Sequence, residues 1–239
     1  MASTRKAGST LLRLLLLCLA GAGVVAAFWF GVVPQRYSPF APITLAERPE
    51  WFTDFRLAAL RTDAGLCRAT LKAPHIVAEP IADRPFVNGC GWLNAVRISS
   101  AGGAELSAAQ LTCPAAAALA LWIEYEVQPA AVQAFGTRVK EIGTLGTYAC
   151  RNIVGNRKWA EMRSQHASAN AIDIATFRLE DGRSISVKGQ WKGNDPAAGF
   201  LRTAHAGACR YFRVALSPDF NPAHEDHFHL DRGVFTRCK

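Results

Sequence analysis

Residues 172–188, IDIATFRLEDGRSISVK, decide the fold. Ile172 to Leu179 and Ser184 to Val187 are strand-like runs flanking Glu180, Asp181 and Gly182, and Asp-Gly between two such runs is a strong hairpin signal. Two antiparallel strands are expected. Downstream, Pro196 to Cys209 reads as a helix, Tyr211 to Leu216 as a strand, and Ser217 to Asp226, with Pro218 and Pro222, as a turn-rich loop. His227 to Asp231 reads as the final strand. Upstream, an Ala-rich segment between Thr112 and Phe135 opens with Pro114 at a helix-starting position. It carries Leu119, Trp122, Ile123 and Val127 at helical spacing, and Pro129 is expected to end or kink it. The mixture, without an internal repeat, predicts an α+β domain around a small antiparallel sheet flanked by helices.

A length of 239 residues and 50% apolar content suit one sizeable domain with appendages. Residues 1–13 hold Arg5, Lys6 and Arg13 and no acid, and an unbroken apolar run of 20 residues follows from Leu14 to Val33, enough to cross a bilayer. The run continues through Phe28, Trp29 and Phe30, longer than a cleaved signal peptide requires, so 14–33 is expected to be an uncleaved anchor with its basic end in the cytoplasm. This places a single-pass protein in the inner membrane, with its domain in the periplasm. Cleavage near Ala26 or Ala27, releasing a periplasmic protein, is the alternative. Residues 34–60, with Pro34, Pro39, Pro42 and Pro49, read as a semi-extended spacer, and 61–239 as the folded domain.

Setting aside Cys18 in the apolar run, the six cysteines Cys67, Cys90, Cys113, Cys150, Cys209 and Cys238 form no CxxC pair. Their even count fits three disulfides in an oxidising compartment, without choosing the connectivity. Of the net charge of +8, the three N-terminal basic residues supply three, leaving +5 for the remainder. That surface suits an acidic envelope. No basic run interleaved with aromatics is present, so a nucleic-acid partner is not expected.

The chemistry sits in Asp226-His227-Phe228-His229-Leu230-Asp231. On a strand, His227, His229 and Asp231 point to one face while Phe228 and Leu230 point to the core. A second cluster, Ser164-Gln165-His166, leads to Asp173. On one straight helix these seven residues would separate His166 from Asp173 by about 10 Å, so a bend through small residues 167–171 is needed to bring them together. Two imidazoles and a carboxylate suit a zinc ion, with a water in the fourth position. His75 and His205 lack such a neighbourhood. His224 and Glu225, just upstream of the site, read as solvated loop residues, with support of the site as the alternative, and Trp92, Trp122, Trp159 and Trp191 as packing residues, of which Trp159 or Trp191 would border the cleft.

These residues resemble the SxHxxGxAxD and ExWH signatures of zinc D-alanyl-D-alanine carboxypeptidases and their lysostaphin and hedgehog relatives. The first is met by Ser164, His166, Ala169, Ala171 and Asp173, with Ala169 at the usual glycine. The second is met by Asp226-His227-Phe228-His229, where Asp226 stands for glutamate and Phe228 for tryptophan. The stretch from about Cys67 to Cys238 also resembles the bacterial extensin-like C-terminal domain family. The resemblance implies His166, Asp173 and His229 as Zn2+ ligands and either Asp226 or His227 as the base, Asp226 being ranked slightly first. It also implies Arg151, in a segment resembling the family's GYR element, at the scissile carbonyl or a substrate carboxylate. The implied activity is a zinc metallopeptidase, a carboxypeptidase or endopeptidase, hydrolysing peptide bonds in the peptidoglycan stem or cross-link. The alternative is a non-catalytic, zinc-containing module that binds the cell wall or serves a structural role, because the fold alone does not fix the function.

Overall fold

The computed structural model describes the backbone of residues 2–239 and side chains from residue 9 onward, save 108. The helices are α1 (Ala2–Trp29), α2 (Thr53–Ala59), α3 (Ala64–Thr70), α4 (Cys113–Trp122), α5 (Gln128–Phe135), α6 (Val187–Gln190) and α7 (Pro196–Ala208). The strands are β1 (Ile76–Pro80), β2 (Arg84–Val87), β3 (Cys90–Trp92), β4 (Ala95–Ala101), β5 (Ala104–Thr112) and β6 (Val139–Gly146). They continue with β7 (Ala171–Leu179), β8 (Ser184–Ser186), β9 (Val214–Leu216), β10 (Phe228–Asp231) and β11 (Arg237–Cys238).

Nine strands form one sheet in the order β1-β4-β5-β6-β7-β10-β9-β11, with β8 paired to β7, while β2 and β3 form a separate ribbon. The α+β class is as expected, but the sheet is larger than the small antiparallel one inferred, and β5–β6 and β9–β11 run parallel. The hairpin forms as read, with Phe177 opposite Ile185 and Arg178 opposite Ser184. Its second strand stops at Ser186, whose hydroxyl accepts from the Gly189 N–H at 3.3 Å and starts α6, so Val187 and Lys188 are helical. On one side β7 pairs with β6 along its length. On the other its first half pairs with β10 and its second with β8.

Every residue of α4 is buried, as befits an Ala-rich helix with no polar face. Trp122 donates its indole N–H to the Ala204 carbonyl at 2.7 Å and ties α4 to α7. Contrary to the expected break, Pro129 does not end the helix. A π-helical turn, Ile123–Val127, carries the chain into α5, and Pro129 falls in that helix's first turn, where a missing N–H is tolerated. The strand expected over 211–216 shrinks to β9, because the N–H groups of Tyr211 and Phe212 close the end of α7 on the Ala208 carbonyl. His227–Asp231 is not the last strand: the tail returns as β11 beside β9, where the Cys209–Cys238 disulfide holds it.

Three disulfides form, Cys67–Cys113, Cys90–Cys150 and Cys209–Cys238, leaving Cys18 free in α1. Ser9–Trp29 is long and apolar enough to cross a membrane, with mean hydropathy 2.3 and none of it buried, a description that a signal sequence also meets. Arg5 and Lys6, on which the expected orientation leans, lie outside the described side chains.

The supposed spacer is largely packed against the domain. Ile43, Leu45, Leu57 and Leu60 enter the main core. The buried Arg56 guanidinium donates to the carbonyls of Ala41 at 3.0 Å, Arg36 at 3.3 Å and Pro42 at 2.6 Å. These proline-containing turns lack strand or helix partners, and the arginine supplies them. Asp54 in turn accepts from buried Arg232 at 2.7 Å. Deleting residues 1–60 is therefore expected to destabilise the domain by several kcal/mol, at about 1.5–3 kcal/mol for each buried Leu or Ile lost. Urea unfolding of 61–239 beside 34–239 measures this, and equal midpoints would contradict the packing argument.

Candidate metal centre

The site is built across two strands. Register places His229 of β10 directly opposite Asp173 of β7, while their neighbours Ile172, Ile174, Phe228 and Leu230 are fully buried on the other face. The alternation anticipated in 227–231 thus holds, with apolar residues anchoring the strand and polar ones facing the cleft. His166 arrives from a 3-10 turn, Gln165–Ser168, whose start is capped by Ser164: its hydroxyl accepts from the His166 N–H at 3.3 Å. The turn ends at Ala169, which adopts the left-handed conformation at φ 52. That reversal supplies the bend that joins His166 to Asp173, and it gives a physical reason for glycine at this point of the resembling signature.

The donor atoms converge. His166 Nε2 lies 3.2 Å from both Asp173 Oδ1 and His229 Nδ1, and His229 Nδ1 lies 3.0 Å from Asp173 Oδ1. All three ligand atoms fall within 4.8 Å of one another. Behind them, His166 Nδ1 faces the Thr147 carbonyl at 3.3 Å, and His229 Nε2 faces Asp231 Oδ2 at 3.0 Å. Each outer nitrogen therefore has an acceptor to donate to, which turns the inner nitrogen's lone pair toward the centre. Two lone pairs and a carboxylate meeting at one point require a proton or a cation between them, and the N, N, O donor set fits a divalent metal.

Electrostatics agree. Burial works against charge on both residues, but hydrogen bonds and attraction between the partners prevail. The imidazoles of His166 and His229 hold the Asp173 carboxyl well below the usual range, and Asp173 and Asp231 raise His229 to about 9.

The centre opens into a cleft of about 320 Å³. His227 lines it, with Nε2 3.6 Å from Asp173 Oδ1 and Nδ1 2.7 Å from Asp226 Oδ1. Asp226 stands behind His227, half-exposed and away from the cleft lining. Arg151 lines the cleft, and so does Trp159. Trp191 packs instead against Phe228 and His205 in the core. His224, expected on a solvated loop, is buried and lines the cleft, with its ring 5.3 Å from that of His227; burial and the neighbouring histidines lower it to about 4. Glu225 stays on the surface, paired with Lys188 at 3.0 Å. Two supporting groups had no assigned role in the sequence. Asp231 was visible through its position two residues after His229, whereas the Thr147 carbonyl leaves no side-chain signal.

Fold and site together define a disulfide-stapled α+β domain with a His-Asp-His cluster at the base of a cleft. The family model described as Extensin-like protein C-terminus matches residues 65–239, and the chain belongs to that family. No curated protein and no solved structure matches the chain.

Ala169 carries the cost of a left-handed residue, about 1 kcal/mol. Ala169→Gly is expected to raise the melting temperature by about 2–4 °C, and a fall on calorimetry would refute the strain. A metal entering the centre must displace the proton held by His229. Since the free imidazole titrates near 9, apparent Zn2+ affinity is expected to rise about tenfold per pH unit from about pH 7 toward that value and then level off. Competition with a chelator of known affinity measures the slope, and a flat profile would exclude His229 as a ligand.

Proposed function

We propose that this chain is a zinc-dependent peptidase that hydrolyses peptide bonds in the stem or cross-link peptides of peptidoglycan, held at the inner membrane with its domain in the periplasm. The observation that carries the proposal is the convergence of His166, Asp173 and His229 on one point, each imidazole backed by an acceptor, at the floor of an open cleft. The likeness of the 164–173 and 226–229 segments to the signatures of zinc D-alanyl-D-alanine carboxypeptidases supplies the substrate class. The three disulfides and the apolar α1 support the location.

When bound, a zinc ion supplies Lewis acidity to a carbonyl oxygen and makes a water nucleophilic near neutral pH. The protein's part is to move protons and hold the peptide. His227 is the base in this scheme. Asp226 accepts from Nδ1–H at 2.7 Å and fixes the tautomer, leaving Nε2 free beside the ligand cluster to take a proton from water and return it to the departing amine. This reverses the slight preference for Asp226 drawn from the signature, because its carboxylate is occupied by His227 and it is not among the residues lining the cleft. Three protein ligands leave room for water and substrate, an arrangement that favours turnover over a closed structural ion. Arg151, on the cleft wall, suits the scissile carbonyl or a carboxylate of the peptide.

The test is metal analysis of the purified full chain followed by incubation with muropeptides, with new amino termini as the readout. His227→Ala is expected to lower kcat by at least about 100-fold with zinc retained, and Asp226→Ala by roughly 10-fold. A larger loss for Asp226→Ala would invert the roles. Stoichiometric zinc without cleavage of any muropeptide would replace the peptidase with a wall-binding module.

A further inference from the structure

The cleft has two walls that the ligand cluster does not explain. One is the C-terminal strap, Gly233 to Arg237, all of which lines the cleft. It is held in place at several points: Asp231 Oδ1 accepts from the Gly233 N–H at 2.7 Å, Arg213 donates to the Val234 carbonyl at 3.2 Å and accepts from the Arg237 N–H at 2.7 Å through its own carbonyl, and Cys238 is bonded to Cys209. The other wall is the stretch from Arg151 to Arg163. The two walls touch where the Trp159 and Phe235 rings lie 5.0 Å apart.

Three arginines, Arg151, Arg163 and Arg237, line this space. Several arginines elsewhere pair with carboxylates, as in Arg48–Glu126, Arg183–Asp181 and Arg232–Asp54. Among the described residues, none of the three cleft arginines has one. Arg151 reaches only the Asn152 carbonyl at 3.4 Å. Arg163 donates to the Asn88 carbonyl at 2.9 Å and to Asn152 Oδ1 at 3.0 Å, which leaves its Nη2 without a protein acceptor. Arg237 lies over the Phe220 ring at 5.1 Å. The cleft's own carboxylates, Asp173 and Asp231, are engaged by His166 and His229. A concave surface with uncompensated guanidinium charge and apolar walls attracts an anion carried on an aliphatic stem.

We propose that Arg163 and Arg237 form a subsite for a carboxylate remote from the scissile bond, so that the cleft selects acidic peptides, and that the stapled strap is the element holding Arg237 for this purpose. The proposal rests on the peptidase reading for the identity of the ligand as a peptide, but carboxylate binding does not require turnover. Arg163 and Arg237 are specificity residues in it, apart from the proton-moving pair.

The experiment uses the full chain in detergent, loaded with zinc, and titrates two synthetic peptides by calorimetry. One is L-Ala-γ-D-Glu-L-Lys-D-Ala-D-Ala, and the other is identical except that the glutamyl α-carboxyl is amidated. The wild type is expected to bind the acidic peptide about tenfold more tightly, the scale of one charge-assisted contact. Arg163→Ala and Arg237→Ala are each expected to abolish most of that difference with zinc content unchanged, and Arg237→Lys to restore part of it. Equal binding of the two peptides by the wild type, or a preference that survives both alanine variants, overturns the subsite. Preference without cleavage would remove the peptidase reading and leave the subsite standing. Cleavage with a KM indifferent to amidation and to both arginines would do the reverse.

Discussion

The register between β7 and β10 is the constraint on which the site depends. His229 opposite Asp173 puts two donors on the same face at neighbouring positions, and a slip of one residue would turn them to opposite faces. What holds the register lies on the reverse side, where Ile172, Ile174, Phe228 and Leu230 are sealed into the core. The cleft chemistry is thus maintained by side chains that never meet it. Packing sets the register, and the register sets the donor geometry.

His166 depends on a different device, a tight turn ending in a left-handed alanine. The arrangement combines a rigid pair from the sheet with a third donor from a turn, and the Thr147 carbonyl just after β6 orients that third imidazole. Asp231 has two tasks. It orients His229 through one oxygen and receives the strap's first N–H through the other, so the outer wall of the cleft and the ligand cluster share one carboxylate. His224 and His227 crowd the same rim, giving the mouth of the cleft an imidazole-rich lining.

Features governed by local periodicity were legible in the sequence. The Asp-Gly hairpin, α7 and the alternation in 227–231 follow from spacing alone, and the three residues that the fold brings together, His166, Asp173 and His229, stand out in the sequence through their likeness to family signatures. What was hidden depends on contacts between distant segments. The proline-containing stretch before residue 60 reads as a linker until Arg56 is seen capping its carbonyls. Pro129 reads as a break until a π-helical turn moves it to a helix start. Position in a signature ranks Asp226 slightly above His227, whereas in the fold His227 lines the cleft and Asp226, outside the lining, pairs with its imidazole.

The connectivity of the cysteines has a consequence for how the chain reaches this state. Cys67–Cys113 and Cys90–Cys150 enclose overlapping stretches of chain, with Cys90 lying between the first two partners. Cysteines oxidised in the order they leave the ribosome would join Cys67 to Cys90 and Cys113 to Cys150, neither of which is native. Bonds mispaired in that way would be corrected by thiolate attack, a slow exchange that a disulfide isomerase accelerates. Of the three links only Cys209–Cys238 joins consecutive cysteines, so it is the native pair that oxidation in sequence order would give directly.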